Sequence, residues 1–568
     1  MKIENHKKNE RRVARIESIA HLLDVMKGHG EKTLFTCFRG KETEDITYTD
    51  FVDRVKRTAA GFTKLGFHEG RVAVIGETSP EWLETYMAIL LAGGVIIPMD
   101  KELDCEQIYK FLEIAEATAI VFSPSFKESF DLLTAHPTLS HLVPMSKDGA
   151  AFGDMSKVKP LYEIRALGEE ELRRGLTFPE ADMEKMSEML FTSGTTGTSK
   201  CVMLSQKNVV SVVNAASFGV EFFPEDTLVS VLPVHHTYEL MCLLAEMNYG
   251  MHVCINDSLR HVVRNFQKFK PTGLVLVPLF VNTIYKRIWS EAEKKGSAKK
   301  LRFAIKLSRA LRKIGIDVRR SLFKEVRAAF GGELERIICG GAALNPDLIR
   351  AFDDFGIAIF EGYGITECSP LAAVTPYYKR KPGSVGPAVE CCEIRIDEKE
   401  QTDDGYAAGE IQIKGDNVML GYYKNPEANA DAFTEDGWYR TGDYGYMDKD
   451  GYVHITGRLK FVIVLENGKN VFPEEIEEYL EGIEEIAESV VVGRTAEDGT
   501  VSLVAVVVPN TEKFPEGTDT NAMKKLISDK IDDVNRRIAS FKQIRDVELR
   551  TEPFEKTTTK KIKRNLVK

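Results

Sequence analysis

The chain has 568 residues, of which 43% are hydrophobic and 29% charged, and 86 acidic against 76 basic residues give a formal net charge of −10. That length asks for several domain-sized units rather than one core, and the acidic balance argues against a nucleic-acid partner. Nine cysteines with no Cys-x-x-Cys pair argue against a zinc or disulfide framework and suit a reducing cytosol.

From the N-terminus, Met1 to Arg15 is charged and polar, without the apolar stretch of a signal peptide. No apolar run approaches the roughly 20 residues needed to span a bilayer, so a cytoplasmic protein is expected. Arg71–Gly76 reads as a strand. Pro80–Gly93 reads as a helix, with Ser79 as its N-cap, Pro80 in its first position and Gly93-Gly94 at its end. Tyr86–Ile97 reads as a buried helix running into a strand. Ala119–Ser123, Leu228–Leu232 and Leu274–Pro278 read as strands, with the apolar run through Val281 taken as buried strand. Such alternation predicts doubly wound parallel sheets with helices on both faces. The segment 285–330 is helical in pattern and strongly basic; it reads as a solvated helical hairpin or as a surface patch for anionic lipid. After about Ser384 the texture turns to short alternating strands (Glu410–Lys414, Tyr452–Thr456, Phe461–Leu465) with Gly-rich turns, as in a small β-barrel. Beyond Lys460, the helix Pro473–Leu480, strands Ser489–Val492 and Val501–Val508, and helix Asp519–Ser540 form a self-contained α+β pattern. The boundary is placed there, giving domains 1–459 and 460–568.

The densest chemistry lies in Phe191-Thr192-Ser193-Gly194-Thr195-Thr196-Gly197-Thr198-Ser199-Lys200. Its glycines let backbone N–H groups face an anion, its hydroxyls donate hydrogen bonds, and Lys200 adds a compact charge; together they suit a polyphosphate. The spacing is not that of a Walker A loop, which needs four residues between its first glycine and Gly-Lys-Ser/Thr. A P-loop kinase or GTPase is therefore disfavoured.

This loop resembles the phosphate-binding loop of the adenylate-forming superfamily: acyl-CoA synthetases, luciferases and peptide-synthetase adenylation domains. Six further segments match the superfamily in order and spacing. Gly340-Gly341-Ala342-Ala343 resembles the segment that lines adenine and acyl pockets. Within Glu361-Gly362-Tyr363-Gly364-Ile365-Thr366-Glu367, the resemblance implies purine stacking by Tyr363 beside Gly364, a phosphate hydroxyl from Thr366 and a Mg²⁺ ligand in Glu367, whose hard oxygens suit that ion. Asp443, after the Gly442 turn, is implied to accept from the ribose hydroxyls, with Arg458 as a ribose and phosphate ligand. His236, in Leu232-Pro233-Val234-His235-His236, matches the histidine at the substrate carboxylate. This stretch lacks the aspartate that amino-acid adenylation domains use for the amine, although Glu239 follows. Lys460 matches the hinge position, with Phe461 departing from the usual acid, and Gly468 resembles the loop that approaches the thiol acceptor. Lys561 aligns with the catalytic lysine, and Lys560 stands where glycine is usual.

The resemblance implies an α/β fold: a large N-terminal domain of two doubly wound αβα subdomains plus the β-barrel, then a small mobile α+β C-terminal domain. It implies ATP-dependent activation of a carboxylic acid, with Thr192–Gly197 and Lys200 on the β- and γ-phosphates, Mg²⁺ on Glu367 with Thr366, and Lys561 at the α-phosphate. The acceptor is coenzyme A or the phosphopantetheine of an acyl carrier protein. The Gly-Gly-Ala-Ala form, the insertion Tyr285–Phe330 and the Leu-Pro-x-x-His segment look most like bacterial long-chain fatty acyl-CoA synthetases, so a medium- to long-chain fatty acid is expected. Two readings stay open beside it: an aryl or amino-acid adenylating ligase that loads a carrier protein, and a non-catalytic nucleotide-binding relative. For the basic stretch 285–330, peripheral contact with the inner face of the membrane is the sharper of its two readings.

Overall fold

A computed structural model describes residues 13–129, 133–146, 157–192, 199–402, 404–465, 469–495, 501–556 and 562–567. The chain forms two compact units. The first takes in the chain up to Ala342 together with Pro346–Glu393 and Ile413–Tyr439; the second comprises Ala343–Asn345, Ile394–Gln412 and Arg440–Lys568. This division differs from a boundary at Lys460, because the ring of Tyr444 stacks on Phe472, 4.6 Å between centroids, within one small core that also holds Ala408 and Leu459.

Two large sheets organise the first unit. Seven strands are ordered Gly421–Tyr422, Lys200–Ser205, Met186–Thr192, Val95–Met99, Arg71–Ile75, Ala119–Phe122 and His141–Pro144. Eight more are ordered Leu371–Val374, Ala358–Gly364, Arg336–Gly340, Gly273–Leu276, Thr227–Ser230, His252–Ile255, Thr33–Arg39 and Glu42–Thr47. Their centres are parallel; both edges of the eight-stranded sheet and the Gly421–Tyr422 side of the seven-stranded one are antiparallel, while His141–Pro144 at the other edge is parallel. The inner strands are largely apolar, as suits parallel strands covered on both faces: Ala119–Phe122 is buried at every residue. The crossover between Arg71–Ile75 and Val95–Met99 is the helix Pro80–Ala92. The Ser79 hydroxyl accepts from Trp82 N at 3.2 Å, and Gly93 closes the other end at φ 89°, the left-handed region glycine tolerates.

The run from Leu274 divides differently from its sequence reading. The strand ends at Leu276, and Pro278 opens the helix Pro278–Lys294, since proline fits a first helical position and cannot donate to a ladder. The basic stretch is helical, continuing through Ala298–Lys313, Arg319–Leu322 and Lys324–Ala328.

In the second unit, the strands read as a barrel pair in a line: Cys392–Gln401, Ala407–Gly415, Tyr439–Met447 and Val453–Arg458. They form a four-stranded sheet with two edges rather than a closed barrel. The α+β part has a three-stranded sheet of Ile486–Thr495, Val501–Pro509 and Ile544–Leu549, on which the helices Pro473–Leu480 and Thr520–Asn535 bury Ile476, Leu480, Ile527 and Ile531. The third of those strands carries only two buried side chains, Ile544 and Val547, which hid it among charged neighbours. No helix among the described residues is long and apolar enough to cross a membrane. All nine cysteines are free.

Candidate active site

The glycine-rich loop joins two antiparallel strands. Thr192 pairs with Lys200 and Phe191 with Cys201, so the ends of the loop are clamped side by side, and the Thr192 hydroxyl lies 3.4 Å from Lys200 O. Ser193, Gly194, Thr195, Thr196 and Gly197 lie outside the described residues, as do Gly468 and Lys561. Burial pushes the thiol of Cys201 up to about 12, which leaves it inert beside the loop.

Beyond Lys200 the hairpin gains a third strand. Gly421–Tyr422 pairs antiparallel with it, Tyr422 opposite Val202. Asn429 holds this tyrosine in both directions: its Oδ1 accepts from Tyr422 N at 2.6 Å and its Nδ2 donates to Tyr422 O at 2.9 Å. The ring lies under Lys200, 4.7 Å from Nζ to centroid, and the phenol donates to Glu367 Oε1 at 2.9 Å. One side chain thus links the lysine of the loop to the acid of the second motif. Sequence reading missed Tyr422; the only local signal is a tyrosine after glycine, and its importance comes from pairing with a strand 220 residues upstream, 422 minus 202.

Glu367 leaves the strand Ala358–Gly364 on a short 3₁₀ turn, Thr366–Cys368. The loop is drawn tight where Ile365 N donates to Pro370 O at 2.9 Å. A Cβ on Gly364 would lie 1.7 Å from that carbonyl oxygen, so only glycine fits. The carboxylate is half-exposed. With Oε1 anchored by the Tyr422 phenol, Oε2 has no hydrogen-bond partner among the described residues. A hard carboxylate oriented by an outer hydrogen bond, with one oxygen available, fits a Mg²⁺ ligand.

Gly340 ends the strand Arg336–Gly340, and Gly341 turns at φ 86°. A Cβ on Gly340 would come 3.2 Å from the ring of Tyr238, whose hydroxyl lies 3.1 Å from Ile338 O and 3.3 Å from Leu276 O. Gly340, Gly341, Tyr363 and Gly364 all line one cavity, of about 90 Å³. The rest of its wall is mostly apolar, including Phe222, Met241, Met251, Leu371 and Val374.

His236 caps the helix Thr237–Tyr249, its ring 4.0 Å from that of His235. His235 Nε2 lies 3.4 Å from Asp100 Oδ2, and Asp100, His235 and His236 each present a ligand atom within 4.8 Å of the others, a grouping that could accept a divalent cation. Glu239 accepts from the Ser230 hydroxyl, and burial pushes it up to about 8, away from the carboxylate form that an amine would pair with.

In the second unit, Asp443 and Arg458 face each other across paired strands and form an ion pair of 2.9 Å. Asp443 is buried and the arginine partly exposed, so the pair offers a carboxylate beside a cation, as a ribose phosphate would require. Phe461 is flanked by two cations: Lys460 Nζ is 4.5 Å and the Arg564 guanidinium 5.2 Å from its centroid. Arg564 in turn pairs with Glu477. Lys556 forms a bridge with Ile562, and Ile562 packs beside Val490, Val506 and Phe554. Neither arrangement was visible in the sequence.

The model for AMP-binding enzymes matches residues 23–423, and that for the AMP-binding enzyme C-terminal domain matches residues 475–561. The chain is 29% identical over 491 residues to the long-chain-fatty-acid–CoA ligase FadD15 of Mycobacterium bovis, covering 83% of this chain and 78% of the relative. It is 26% identical to long-chain-fatty-acid–CoA ligase 5 of Rattus norvegicus, covering 90% and 80% of the two chains. The crystal structure of ATP-bound MatB from Rhodopseudomonas palustris superposes with a TM-score of 0.72 at 25% identity, covering 96% of this chain and 98% of that one.

Proposed function

The chain belongs to the AMP-binding enzyme family, and from that premise we propose that it activates a medium- to long-chain fatty acid as its acyl-adenylate and passes the acyl group to the thiol of coenzyme A. The observation that carries the choice of acid is the cavity along Gly340-Gly341 and Tyr363-Gly364, whose mostly apolar wall, with Phe222, Met241, Met251, Leu371 and Val374, suits an alkyl chain. The curated relatives named as long-chain-fatty-acid–CoA ligases support the same acid.

A carboxylate is a poor acyl donor because its leaving group would be oxide or hydroxide. Attack on the α-phosphate of ATP expels pyrophosphate and converts that oxygen into AMP, a leaving group a thiol can displace. The first step brings two anions together, so neutralising charge is the main task. Lys200 and the hydroxyls of Thr192 to Thr196 would grip the β- and γ-phosphates, with Gly194 and Gly197 opening the backbone to them. Glu367, with Thr366, would hold Mg²⁺, which would supply further neutralisation of phosphate charge. Tyr363 would stack on the purine, Asp443 would accept from the ribose, Arg458 would reach ribose and phosphate, and His236 would lie at the acid's carboxylate. Lys561 would bind that carboxylate and the α-phosphate, then withdraw by rotation about Lys460 so that Gly468 approaches the thiol. A carrier-protein phosphopantetheine presents the same thiol and is the second acceptor to test.

For membrane contact, the support is the helix Ala298–Lys313, where Phe303 (67% exposed) and Leu307 stand among Lys299, Lys300 and Lys306, with Ile314 (70% exposed) just beyond. Several arginines of this stretch are occupied structurally: Arg309 with Asp354, Arg312 with Asp353 and Arg320 with Glu333. Sedimentation with anionic vesicles that weakens with added salt is expected; no binding at low salt removes the membrane reading.

Pyrophosphate release is to be measured with fatty, aryl and amino acids, with coenzyme A or a carrier protein as acceptor. Release with fatty acids and thioester formation with coenzyme A are expected. Release with an aryl or amino acid and with no fatty acid would sink the proposal. Lys561→Ala should abolish release; unchanged release would show that Lys561 does no chemistry.

A further inference from the structure

We propose that the acyl cavity is built for a fatty acid carrying a hydroxyl group well down its chain, and that Glu246 is the residue that recognises it. The proposal rests on the fatty-acid-activating function above. Glu246 lies near the end of the helix Thr237–Tyr249, is 5% exposed, and lines the cavity. Its carboxyl has no hydrogen-bond partner among the described residues.

The tyrosines beside it are engaged with the protein. Tyr238 lies within hydrogen-bond distance of Leu276 O and Ile338 O, and the phenol of Tyr249 donates to Ser217 O and lies 3.2 Å from Val220 O. Glu246 is thus the charged residue type on a wall that otherwise suits hydrocarbon, and an alkyl chain filling the cavity would strip its carboxyl of solvent unless the ligand itself supplied a partner.

The chemistry of that ligand follows from the surroundings. Burial, reinforced by the nearby Glu239, holds Glu246 well above the usual carboxylate range, in its neutral form. A neutral carboxylic acid both donates and accepts, and so does a hydroxyl; an ammonium would require the ionised form that burial disfavours. The depth is set by the helix. Glu246 follows Tyr238 by eight residues, about 12 Å along the axis. Tyr238 abuts Gly340 and follows by two residues His236, which under the proposed function lies at the acid's carboxylate. A hydroxyl next to that carboxyl group would not reach Glu246.

The test uses the full-length enzyme and compares kcat/KM, read as pyrophosphate release, for four acids. These are an unsubstituted fatty acid of the length turned over best, and its α-hydroxy, mid-chain-hydroxy and ω-hydroxy derivatives. The wild type should prefer a mid-chain or ω-hydroxy acid over the unsubstituted one by about tenfold or more, as expected for a buried polar group that needs its partner. The α-hydroxy acid should gain nothing. Glu246→Leu should reverse the preference by raising kcat/KM for the unsubstituted acid, whereas Glu246→Gln, which keeps a donor and an acceptor, should retain it. Equal use of unsubstituted and hydroxylated acids by the wild type, or an unaltered ratio in Glu246→Leu with activity retained, overturns the assignment while leaving acid activation standing. Failure to release pyrophosphate with any acid overturns acid activation and this assignment together.

Discussion

Tyr422 uses two parts of one side chain: its ring supports Lys200 and its phenol orients Glu367. Burial and the neighbouring Glu367 hold the phenol well above its ordinary pKa, so it stays a donor. Tyr422→Phe keeps the ring and removes only the donation. Loss of an outer hydrogen bond to a metal ligand typically weakens metal affinity about 10- to 100-fold. The Mg²⁺ concentration needed for half-maximal pyrophosphate release should rise by that factor, with KM for the fatty acid little changed. An unchanged Mg²⁺ titration would mean that Glu367 does not hold the ion through this arrangement. Lys200 and Glu367 were legible because each sits in a short stretch dense with polar and glycine residues. Tyr422 was not, because its partners Val202, Asn429 and Glu367 are gathered by folding and leave no mark on neighbouring sequence.

At the scale of the element, glycine positions divide into those that fill a need and those that tolerate change. Gly364 admits no Cβ, since Pro370 O would lie 1.7 Å away, whereas a Cβ on Gly362 would meet Leu371 Cδ1 at an ordinary 3.7 Å. Gly364→Ala should therefore force the Thr366–Glu367 turn apart, costing about 1–3 kcal/mol of stability as overpacking does, and should lower pyrophosphate release. Gly362→Ala should melt close to wild type. Thermal unfolding of both variants decides this; equal melting temperatures would mean the turn yields freely. The glycine itself was visible in the Tyr363-Gly364-Ile365-Thr366-Glu367 string, but its reason was not, because Pro370 returns over it through a hydrogen bond that sequence does not display. Strands such as Arg71–Ile75 and the capped helix Pro80–Ala92 were legible from local pattern and end signals. The strand Ile544–Leu549 was not, because its pairing with Val501–Pro509 supplies the order that its own charged sequence lacks.

Across the whole molecule, buried acids couple stability to pH. Glu188 and Glu239, both in the first unit, are 1% and 2% exposed, and burial pushes them up to about 7 and about 8 from an ordinary 4.5. Glu188 accepts from Tyr86 Oη at 2.9 Å and Glu239 from the Ser230 hydroxyl, yet neither has a cation beside it among these contacts, so desolvation prevails. The sign follows directly. Between the unfolded value and the folded ones, the native state keeps these protons and the unfolded chain has lost them. Native stability is therefore fully present below about pH 4.5 as far as these groups are concerned, and declines as pH rises through about 7 and 8, at about 1.4 kcal/mol per pH unit for each group while the difference persists. The three tryptophans, Trp82, Trp289 and Trp438, all belong to the first unit, so their fluorescence reports its unfolding. Urea midpoints read this way from about pH 5 to about pH 8 should fall steadily. Glu239→Gln imitates the protonated side chain, can still accept from Ser230, and should flatten the fall by one group's share without loss of stability at the acid end. A midpoint that holds level or rises over this range would show that these carboxyls ionise within the folded protein at their ordinary values, and that the interior about them is more polar than their burial implies.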